Sequence, residues 1–201
     1  MIIGLTGNTG AGKSTVSNYF KTKYNAHVID ADHIGHMIIK KGQLTYEKLI
    51  KTFSIKILDD AKEIDRKKLA NIVFNDKNKL KLLNEITHKA IMKKIYEEID
   101  KIKNENLNNK FFIIIDIPLI FETNLPNLVD QIWAVSSDLE NRMNRIMKRD
   151  NIDYKSANAR IESQISIQKY KDKIDYIINN NSVVEDTLSQ CDELYNKLKS
   201  E

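Results

Sequence analysis

With 201 residues, 41% of them hydrophobic and 30% charged, the chain is large enough to bury the core of one α/β domain with insertions. Its 32 basic and 28 acidic residues leave a formal charge of +4 and are spread along predicted helices, not gathered in one basic block. This pattern argues against nucleic acid as the main partner and predicts a surface that tolerates small anionic ligands.

The cysteine content and the hydropathy pattern indicate where the protein works. The single cysteine, Cys191, excludes an internal disulfide, which is typical of the reducing cytosol. No apolar run approaches the length of a membrane span, and the first residues lead directly into a predicted strand. We expect a cytoplasmic protein without membrane contact, either a monomer or a weak homo-oligomer.

The first fifteen residues carry the strongest motif. An apolar run, Ile2 to Leu5, predicts a buried strand and is followed by Gly7-x-x-x-x-Gly12-Lys13-Ser14, the P-loop pattern. The glycines let successive backbone N–H groups face phosphate oxygens, and the helix predicted over 15–23 directs its positive end toward the same anion. Lys13 would contact the β- and γ-phosphates, and the Ser14 hydroxyl would bind Mg²⁺. The predicted nucleotide-binding residues are Asn8, Thr9, Gly10, Ala11, Gly12, Lys13, Ser14 and Thr15.

Residues 26–32 predict a second strand, which ends in two acidic residues, Asp30 and Asp32. Ligands of open parallel sheets lie at the carboxyl ends of the strands, so both carboxylates are expected on the P-loop side. One of them could accept a proton from an attacking hydroxyl, and the other could cap the next helix. The alternative that both are helix caps remains open.

Residues 33–110 contain no proline and predict helices throughout, with a turn at 58–60 and a new helix starting near Ile64. Such a long helical stretch between two strands exceeds an ordinary crossover and predicts a subdomain that leans over the site. His88 lies within it, although a lone histidine on a long helix is more often structural. A core-facing stripe is predicted at Leu83, Ile86, Ala90, Ile91, Ile95, Ile99 and Ile102.

The apolar run 111–115 predicts a central parallel strand that is buried on both faces and ends in Asp116. This is a Walker B-like position, where the carboxylate would reach Mg²⁺ directly or through water. An apolar loop follows and contains Glu122 as a second candidate acid. Residues 131–136 predict the fourth strand, in which Trp133 belongs to the core.

Residues 138–171 form a polar helical stretch that contains four of the five arginines, Arg142, Arg145, Arg149 and Arg160. Arg145 and Arg149 are four residues apart and share one helix face. Arginines in this position suit a lid that closes over the phosphates. The alternative is a solvated helix pair whose arginines pair with neighbouring acids. A fifth strand over 175–179, a loop over 180–182 that would touch a base and a helix over 183–199 complete the chain.

These segments together resemble the dephospho-CoA kinase family. The resemblance follows the chain in order: the P-loop, Val28-Ile29-Asp30-Ala31-Asp32, His88, Asp116-Ile117-Pro118-Leu119-Ile120-Phe121-Glu122, Arg145-x-x-x-Arg149-Asp150, Arg160-Ile161 with Gln164, and Asp175-x-Ile177-Ile178-x-Asn180. The chain departs from the family at Lys89, where proline is usual, and at Ser182, where glycine is usual. The basic residues expected after Gln164 are the lysines Lys169 and Lys171, which cannot reproduce the bidentate geometry of arginine.

The resemblance implies a fold, a reaction and a set of site residues. The fold is an α/β P-loop NTPase fold with a five-stranded parallel sheet flanked by helices: a core of residues 1–32, 111–137 and 172–201, a helical CoA-binding subdomain of 33–110 and a lid of 138–171. The reaction transfers the γ-phosphoryl group of ATP, with Mg²⁺, to the ribose 3′-hydroxyl of dephospho-CoA, the last step of coenzyme A biosynthesis. The implied catalytic residues are Lys13, Asp32, Arg145 and Arg149, the metal ligands are Ser14 and Asp116, and the substrate contacts are Asp32, His88, Pro118, Leu119, Phe121 and Glu122.

Two alternatives share the P-loop. Another small-molecule kinase, acting on a nucleoside or nucleotide, would have the same core and a different acceptor pocket. A regulatory GTPase would read guanine with Asn-Lys-x-Asp, but the three Asn-Lys pairs, which begin at Asn78, Asn109 and Asn196, are followed at the fourth position by Lys, Phe and Lys.

Overall fold

A computed structural model describes residues 1–74, 76–105, 111–118, 120–122, 125–162, 164 and 167–200. The strands are β1 (Ile2–Gly7), β2 (His27–Asp30), β3 (Ile113–Asp116), β4 (Gln131–Ser136) and β5 (Tyr176–Asn179). The helices are α1 (Lys13–Tyr24), α2 (Ala31–Ile38), α3 (Leu44–Phe53), α4 (Arg66–Phe74), α5 (Lys77–Glu105), α6 (Leu139–Asp150), α7 (Tyr154–Glu162) and α8 (Val184–Ser200). Short 3₁₀ segments lie at Ile55–Ile57, Ile120–Glu122, Leu125–Asn127 and Ile167–Lys173.

The strands among these residues form one five-stranded sheet in the order β2-β3-β1-β4-β5. Strand β1 is fully buried and pairs in parallel with β3 and β4, and β4 pairs in parallel with β5. Leu5 is opposite Asp116 in this register. Because parallel strands present their carboxyl ends at one edge, the loop after Gly7 and the carboxylate of Asp116 come together there. The predicted five-stranded parallel sheet is confirmed.

Several predicted strand boundaries were wrong by one or two residues. Strand β2 stops at Asp30 and not at residue 32, because the Asp30 carboxylate accepts a hydrogen bond from the His33 N–H at 2.9 Å and caps α2. Strand β3 begins at Ile113, after Phe111 and Phe112, and β5 begins at Tyr176. Helix α1 begins at Lys13, directly after the P-loop.

The chain divides into two compact units. The first comprises Met1–Ile29 with Asn106–Glu201, and the second comprises Asp30–Glu105. In the first unit, α1 and α8 pack on the sheet around Phe20 and Trp133, which are fully buried. Cys191 belongs to this core, and burial raises the pKa of its thiol to about 12, in keeping with a structural role.

The second unit consists of helices separated by breaks, so the prediction of helices throughout residues 33–110 was too simple. The chain turns after α2 and again over 58–65, where Leu58 and Ile64 form an isolated antiparallel bridge. Helix α4 then starts after Asp65, whose carboxylate accepts backbone N–H groups of Lys67 and Lys68. A separate core cluster includes the buried residues Tyr46, Leu49, Phe53, Ile57, Ile64, Leu69 and Val73.

Helix α5 was predicted over 80–102 and extends three residues further at each end. The predicted stripe is buried only in its second half, at Ile95, Ile99 and Ile102. Leu83, Ile86, Ala90 and Ile91, in the first half, are half-buried. The periodicity therefore identified the inner face of the helix correctly, but it did not predict how far the side chains of each turn are buried.

Candidate active site

The P-loop connects the end of β1 to the start of α1. Gly12 precedes the helix in a left-handed conformation, with φ of 96°, and no side chain caps the helix there. The first turn of α1 contains no acidic residue. An uncapped helix N-terminus on a glycine-rich loop attracts phosphate through its partial positive charge and exposed N–H groups.

Lys13 and Asp116 form an ion pair at the carboxyl edge of the sheet. The ammonium group of Lys13 donates to Oδ1 of Asp116, and the two side chains are only 17% and 7% exposed. Asp116 thus stands beside the P-loop lysine, where the Walker B-like interpretation expected it. A cation and a carboxylate here provide one group for phosphate and one for a metal ion.

Asn180, which follows β5, supports the P-loop from inside the protein. Its side-chain amide donates to the Ala11 carbonyl at 2.8 Å, and its amide oxygen accepts from the Thr187 hydroxyl at 2.9 Å. A Cβ on Gly12 would collide with the Asn180 Nδ2 atom, so a larger residue at this position would displace the amide or the loop. The side chain of Asn180 thus binds the P-loop backbone, and the expected contact of the loop 180–182 with a base stays a prediction.

Arg145 of α6 lies against the same loop. Its Nη1 atom donates to the carbonyls of Gly10 and Ala11 at 3.3 and 3.4 Å and to the Ser137 hydroxyl at 3.2 Å. Its Nη2 atom donates to the Asn180 carbonyl at 2.9 Å. The guanidinium therefore joins α6, the end of β5 and the P-loop, and it brings a positive charge to the phosphate-binding region.

Thr9, in the P-loop, is held by two further side chains. Arg142 Nε donates to the Thr9 carbonyl at 2.9 Å. The Thr9 N–H donates to Gln164 Oε1 at 2.8 Å, and Gln164 Nε2 donates to the Thr9 hydroxyl at 2.7 Å. Partial burial lowers the pKa of Arg142.

The other two arginines of the predicted lid make different contacts. Arg149 pairs with Asp150 through two hydrogen bonds of 2.8 and 2.9 Å, and its side chain is 61% exposed. This hydrogen bonding to Asp150 raises the pKa of Arg149. Arg160 of α7 donates to the same carboxylate at 2.5 Å. The arginines thus divide: Arg142 and Arg145 bind P-loop carbonyls, whereas Arg149 and Arg160 pair with an acid, as the alternative of a solvated helix pair expected. The lid over the phosphates stays a prediction.

Two residues that are predicted to contact the substrate, Pro118 and Phe121, have described contacts in the loop after β3. The Pro118 carbonyl accepts a hydrogen bond from the Thr6 hydroxyl at 2.9 Å, which joins this loop to β1. The Phe121 ring stacks on Tyr170, with centroids 4.2 Å apart and an angle of 19° between the planes. Leu119 and the side chain of Glu122 lie outside the described residues.

The remaining predicted site residues belong to the second unit. Asp32 is exposed in the first turn of α2, one helical position after Ala31, so it is not the helix cap. The cap of α2 is Asp30. The alternative that both aspartates are helix caps is therefore correct for Asp30 only. His88 is half-buried in the long helix α5.

The side chains near the P-loop suit Mg²⁺ better than a metal that requires a cage of protein ligands. Within the described ranges, no cluster of three His, Cys, Asp or Glu residues could hold a metal ion. Asp116 is one buried carboxylate next to the loop, and Ser14 adds a hydroxyl in the first turn of α1. Mg²⁺ is typically bound by one or two carboxylates together with water and substrate phosphates, so this small donor set fits it.

A P-loop at the carboxyl edge of a parallel sheet, with the paired Lys13 and Asp116, defines a nucleotide-binding protein of the P-loop NTPase class. A family model described as dephospho-CoA kinase matches residues 1–186. The chain belongs to the dephospho-CoA kinase family, as its sequence motifs implied.

Individual relatives agree with this assignment. The dephospho-CoA kinase of Fusobacterium nucleatum is 42% identical over 96% of this chain and 95% of its own length. That of Oceanobacillus iheyensis is 39% identical over 98% of this chain and 97% of its own. The solved structure of dephospho-CoA kinase from Campylobacter jejuni has a TM-score of 0.69 at 33% identity, covering 98% of this chain and 96% of that one.

The structure adds site residues for which the motifs assigned no role. Arg142 appeared in the sequence as one of several lid arginines, Gln164 only as part of the family resemblance, and Asn180 as a loop residue near a base. Their shared property is a long-range hydrogen bond to the P-loop backbone. No local signal sets Asn180 apart, because it lies between two other asparagines, Asn179 at the end of β5 and Asn181 in the following loop.

Proposed function

We propose that this protein transfers the γ-phosphoryl group of ATP to the ribose 3′-hydroxyl of dephospho-CoA and so forms coenzyme A. Membership of the dephospho-CoA kinase family supports the acceptor. The observation that carries the phosphoryl-transfer chemistry is the P-loop with Lys13 paired to Asp116 next to an uncapped helix N-terminus. The other small-molecule kinase and the GTPase alternatives are not favoured.

The nucleotide would bind along residues 8–15. In this proposal Lys13 exchanges its contact with Asp116 for the β- and γ-phosphates, while the backbone N–H groups at the start of α1 hold the same anion. Arg145, already bonded to the loop, neutralises charge that develops during transfer. Positioning and electrostatic stabilisation supply most of the catalysis in phosphoryl transfer, which agrees with a site built from donors and cations.

We propose that Ser14 and Asp116 hold Mg²⁺ together with the nucleotide phosphates. When bound, the metal ion neutralises charge on the β- and γ-oxygens. The Asp116 carboxylate becomes available to it once the Lys13 ammonium turns to the phosphates. The ion pair with Lys13 therefore neutralises the charge of the buried Asp116 carboxylate before Mg²⁺ and the nucleotide bind.

We assign the acceptor side by the family resemblance. Asp32 would accept the proton of the attacking hydroxyl or orient that hydroxyl, and its position in the first turn of α2 leaves the carboxylate exposed. The remaining acceptor contacts would come from His88, Pro118, Leu119, Phe121 and Glu122. Arg149 would act from a lid, and to do so its guanidinium must leave Asp150.

Release of ADP, measured with a coupled assay in Mg·ATP, tests the proposal. Dephospho-CoA is compared with adenosine, AMP, CMP and no acceptor, and the product is identified by mass spectrometry. We expect turnover with dephospho-CoA and a product one phosphate heavier. Turnover with a nucleoside or nucleotide instead would overturn the acceptor, and acceptor-independent hydrolysis alone would favour a switch protein.

Location and assembly remain proposals as well. No helix in the described part of the chain is long and apolar enough to cross a membrane. We propose a cytoplasmic protein that acts as a monomer or a weak homo-oligomer. Light scattering coupled to gel filtration, over a range of protein concentrations, tests the oligomeric state.

A further inference from the structure

Arg142 contacts the P-loop in a way that leaves part of its guanidinium unused. Its Nε atom donates to the Thr9 carbonyl at 2.9 Å, but its Nη2 atom is buried without a hydrogen-bond partner among the described residues. A buried, unpartnered N–H costs free energy, more so on a charged group. The side chain is therefore poorly explained as a device for stability alone.

The backbone of Arg142 lies against the same loop. A Cβ on Gly10 would approach the Arg142 carbonyl oxygen to 2.7 Å and its Cα atom to 3.0 Å. Helix α6 thus packs closely on Gly10 while its arginine side chain holds the preceding residue, Thr9. A small shift of the helix would move both neighbouring residues of the loop.

Gln164 completes the hold on Thr9. With the two hydrogen bonds to this glutamine and the one to Arg142, the N–H, the hydroxyl and the carbonyl of Thr9 are all engaged. The two side chains reach Thr9 from different parts of the chain, one from α6 and the other from beyond α7. This complete engagement fixes the orientation of the peptide groups on both sides of Thr9, which are part of the phosphate-binding loop.

We propose that Arg142 and Gln164 form a clasp on Thr9 and that Arg142 is a positioning residue for nucleotide binding. It acts through the Thr9 carbonyl and not by contact with the reacting atoms. The nucleotide then binds to a loop that is already ordered, so less conformational entropy is lost on binding. The kinetic part of this inference rests on the proposed kinase function, whereas nucleotide affinity does not.

The experiment measures the dissociation constant of MgADP by calorimetry, so that no acceptor is needed. We expect Arg142→Ala to weaken binding about tenfold, the factor for a hydrogen bond from a charged donor. Arg142→Gln retains an N–H donor for the Thr9 carbonyl without the charge and should recover most of the affinity. Lys148→Ala removes an exposed cation from the same helix and serves as the control.

Steady-state assays and thermal unfolding separate positioning from a structural role. We expect Arg142→Ala to raise KM for MgATP about tenfold with kcat and KM for dephospho-CoA close to wild type, and without a matching loss of melting temperature. The double variant Arg142→Ala with Gln164→Ala should weaken MgADP binding by less than the product of the two single effects, because both side chains act on Thr9.

Four results would overturn the proposal. These are wild-type affinity in Arg142→Ala, an equal loss in Lys148→Ala, an Arg142→Gln protein as weak as Arg142→Ala, and effects that multiply in the double variant. If the wild-type protein binds MgADP but does not phosphorylate dephospho-CoA, the proposed function fails while the clasp is still tested by the affinities.

Discussion

The side-chain amide of Asn180 and the backbone carbonyl of Ala11 are joined by a buried hydrogen bond of 2.8 Å. The two residues are 169 positions apart in the sequence, and their contact ties the end of β5 to the P-loop. Because the Asn180 oxygen is itself bonded to the Thr187 hydroxyl, the loop is connected through this residue to α8. The C-terminal elements therefore help to shape a phosphate site whose motif lies at the N-terminus.

We expect Asn180→Ala to lower the free energy of unfolding by roughly 1–3 kcal/mol, since it deprives buried polar groups of a partner. The groups affected are the Ala11 carbonyl and the Thr187 hydroxyl. Urea denaturation measures the change, and Asn196→Ala, an exposed substitution on α8, is the control. Equal stability of the two variants would show that the Asn180 bonds contribute little.

Alanine substitutions at Gly12 and Gly42 separate the effect of backbone strain from that of a steric collision by the added Cβ atom. Both glycines have positive φ, 96° and 88°, but a Cβ at Gly12 would strike Asn180 whereas a Cβ at Gly42 would meet nothing within 4 Å. We expect Gly42→Ala to cost about 1 kcal/mol from backbone strain, with nucleotide affinity unchanged.

Gly12→Ala should carry the same strain and in addition displace Asn180 or the loop. We expect its MgADP affinity to fall at least about tenfold, equivalent to the loss of one strong hydrogen bond. Calorimetry on both variants measures the difference. Equal affinities would mean that the loop tolerates the added methyl group and that glycine serves only the left-handed conformation.

Elements with a local signal were predictable from the sequence. The P-loop, the apolar strand before Asp116 and the strand 131–136 are each specified by residues next to one another, and the structure confirms them. Within residues 33–110, the turn at 58–60 and the new helix start near Ile64 were also predicted, whereas the break after α2 was not. Asp59 accepts the Glu63 N–H and so stabilises the predicted turn through a side-chain contact.

Long-range polar contacts were not predictable in the same way. Arg149 pairs with the adjacent Asp150, but nothing near Arg142 in the sequence indicates that it holds Thr9. Both lie on the same face of α6, about two turns apart, and their different roles depend on which turn of the helix lies beside the P-loop after folding. Tertiary packing decides the partner of an arginine. The sequence alone therefore could not choose between a lid and a solvated helix pair.

Lys13→Ala should lower kcat by at least about a hundredfold, the scale of a lost charge stabiliser. The variant also leaves the buried Asp116 carboxylate unpaired, which is unfavourable. We therefore expect lower stability unless Mg²⁺ and nucleotide are present. Coupled assays and thermal unfolding with and without Mg·ADP measure the two effects. Turnover within tenfold of wild type would contradict the phosphate-binding role of Lys13.

Asp192 should make stability depend on pH in the acid range. Burial alone would raise the pKa of this carboxyl, but hydrogen bonds from Lys23, Tyr24 and Tyr19 outweigh that effect and lower it from 3.8 to about 2. A folded-state pKa below the unfolded value stabilises the protein above about pH 4, and this contribution is lost as the pH falls toward 2.

Asp192→Asn removes the charge and should cost about 1 kcal/mol at pH 7, a value that allows for solvent screening of a partly exposed pair. We expect the difference from wild type to shrink between about pH 4 and about pH 2. Urea denaturation at a series of pH values measures it. A difference that stays constant over this range would show that packing, and not the carboxylate charge, accounts for the effect.

Asp30 and Asp32 provide the most direct test of the catalytic base, because they are neighbours with different structural positions. Asp30 caps α2 through the His33 N–H, and asparagine caps helices as well as aspartate does. Asp30→Asn should therefore retain both stability and turnover. Asp32 is exposed in the first turn, so Asp32→Asn should also fold normally.

We expect Asp32→Asn to lower kcat by at least about a hundredfold with dephospho-CoA, the scale of a lost proton acceptor. KM for MgATP should change little, because the substitution lies outside the P-loop. The matched comparison with Asp30→Asn controls for the loss of one negative charge at the start of α2. If Asp32→Asn turned over normally while Asp30→Asn did not, the base would be Asp30. If both retained activity, positioning and electrostatics alone would drive the transfer, without a carboxylate base from this segment.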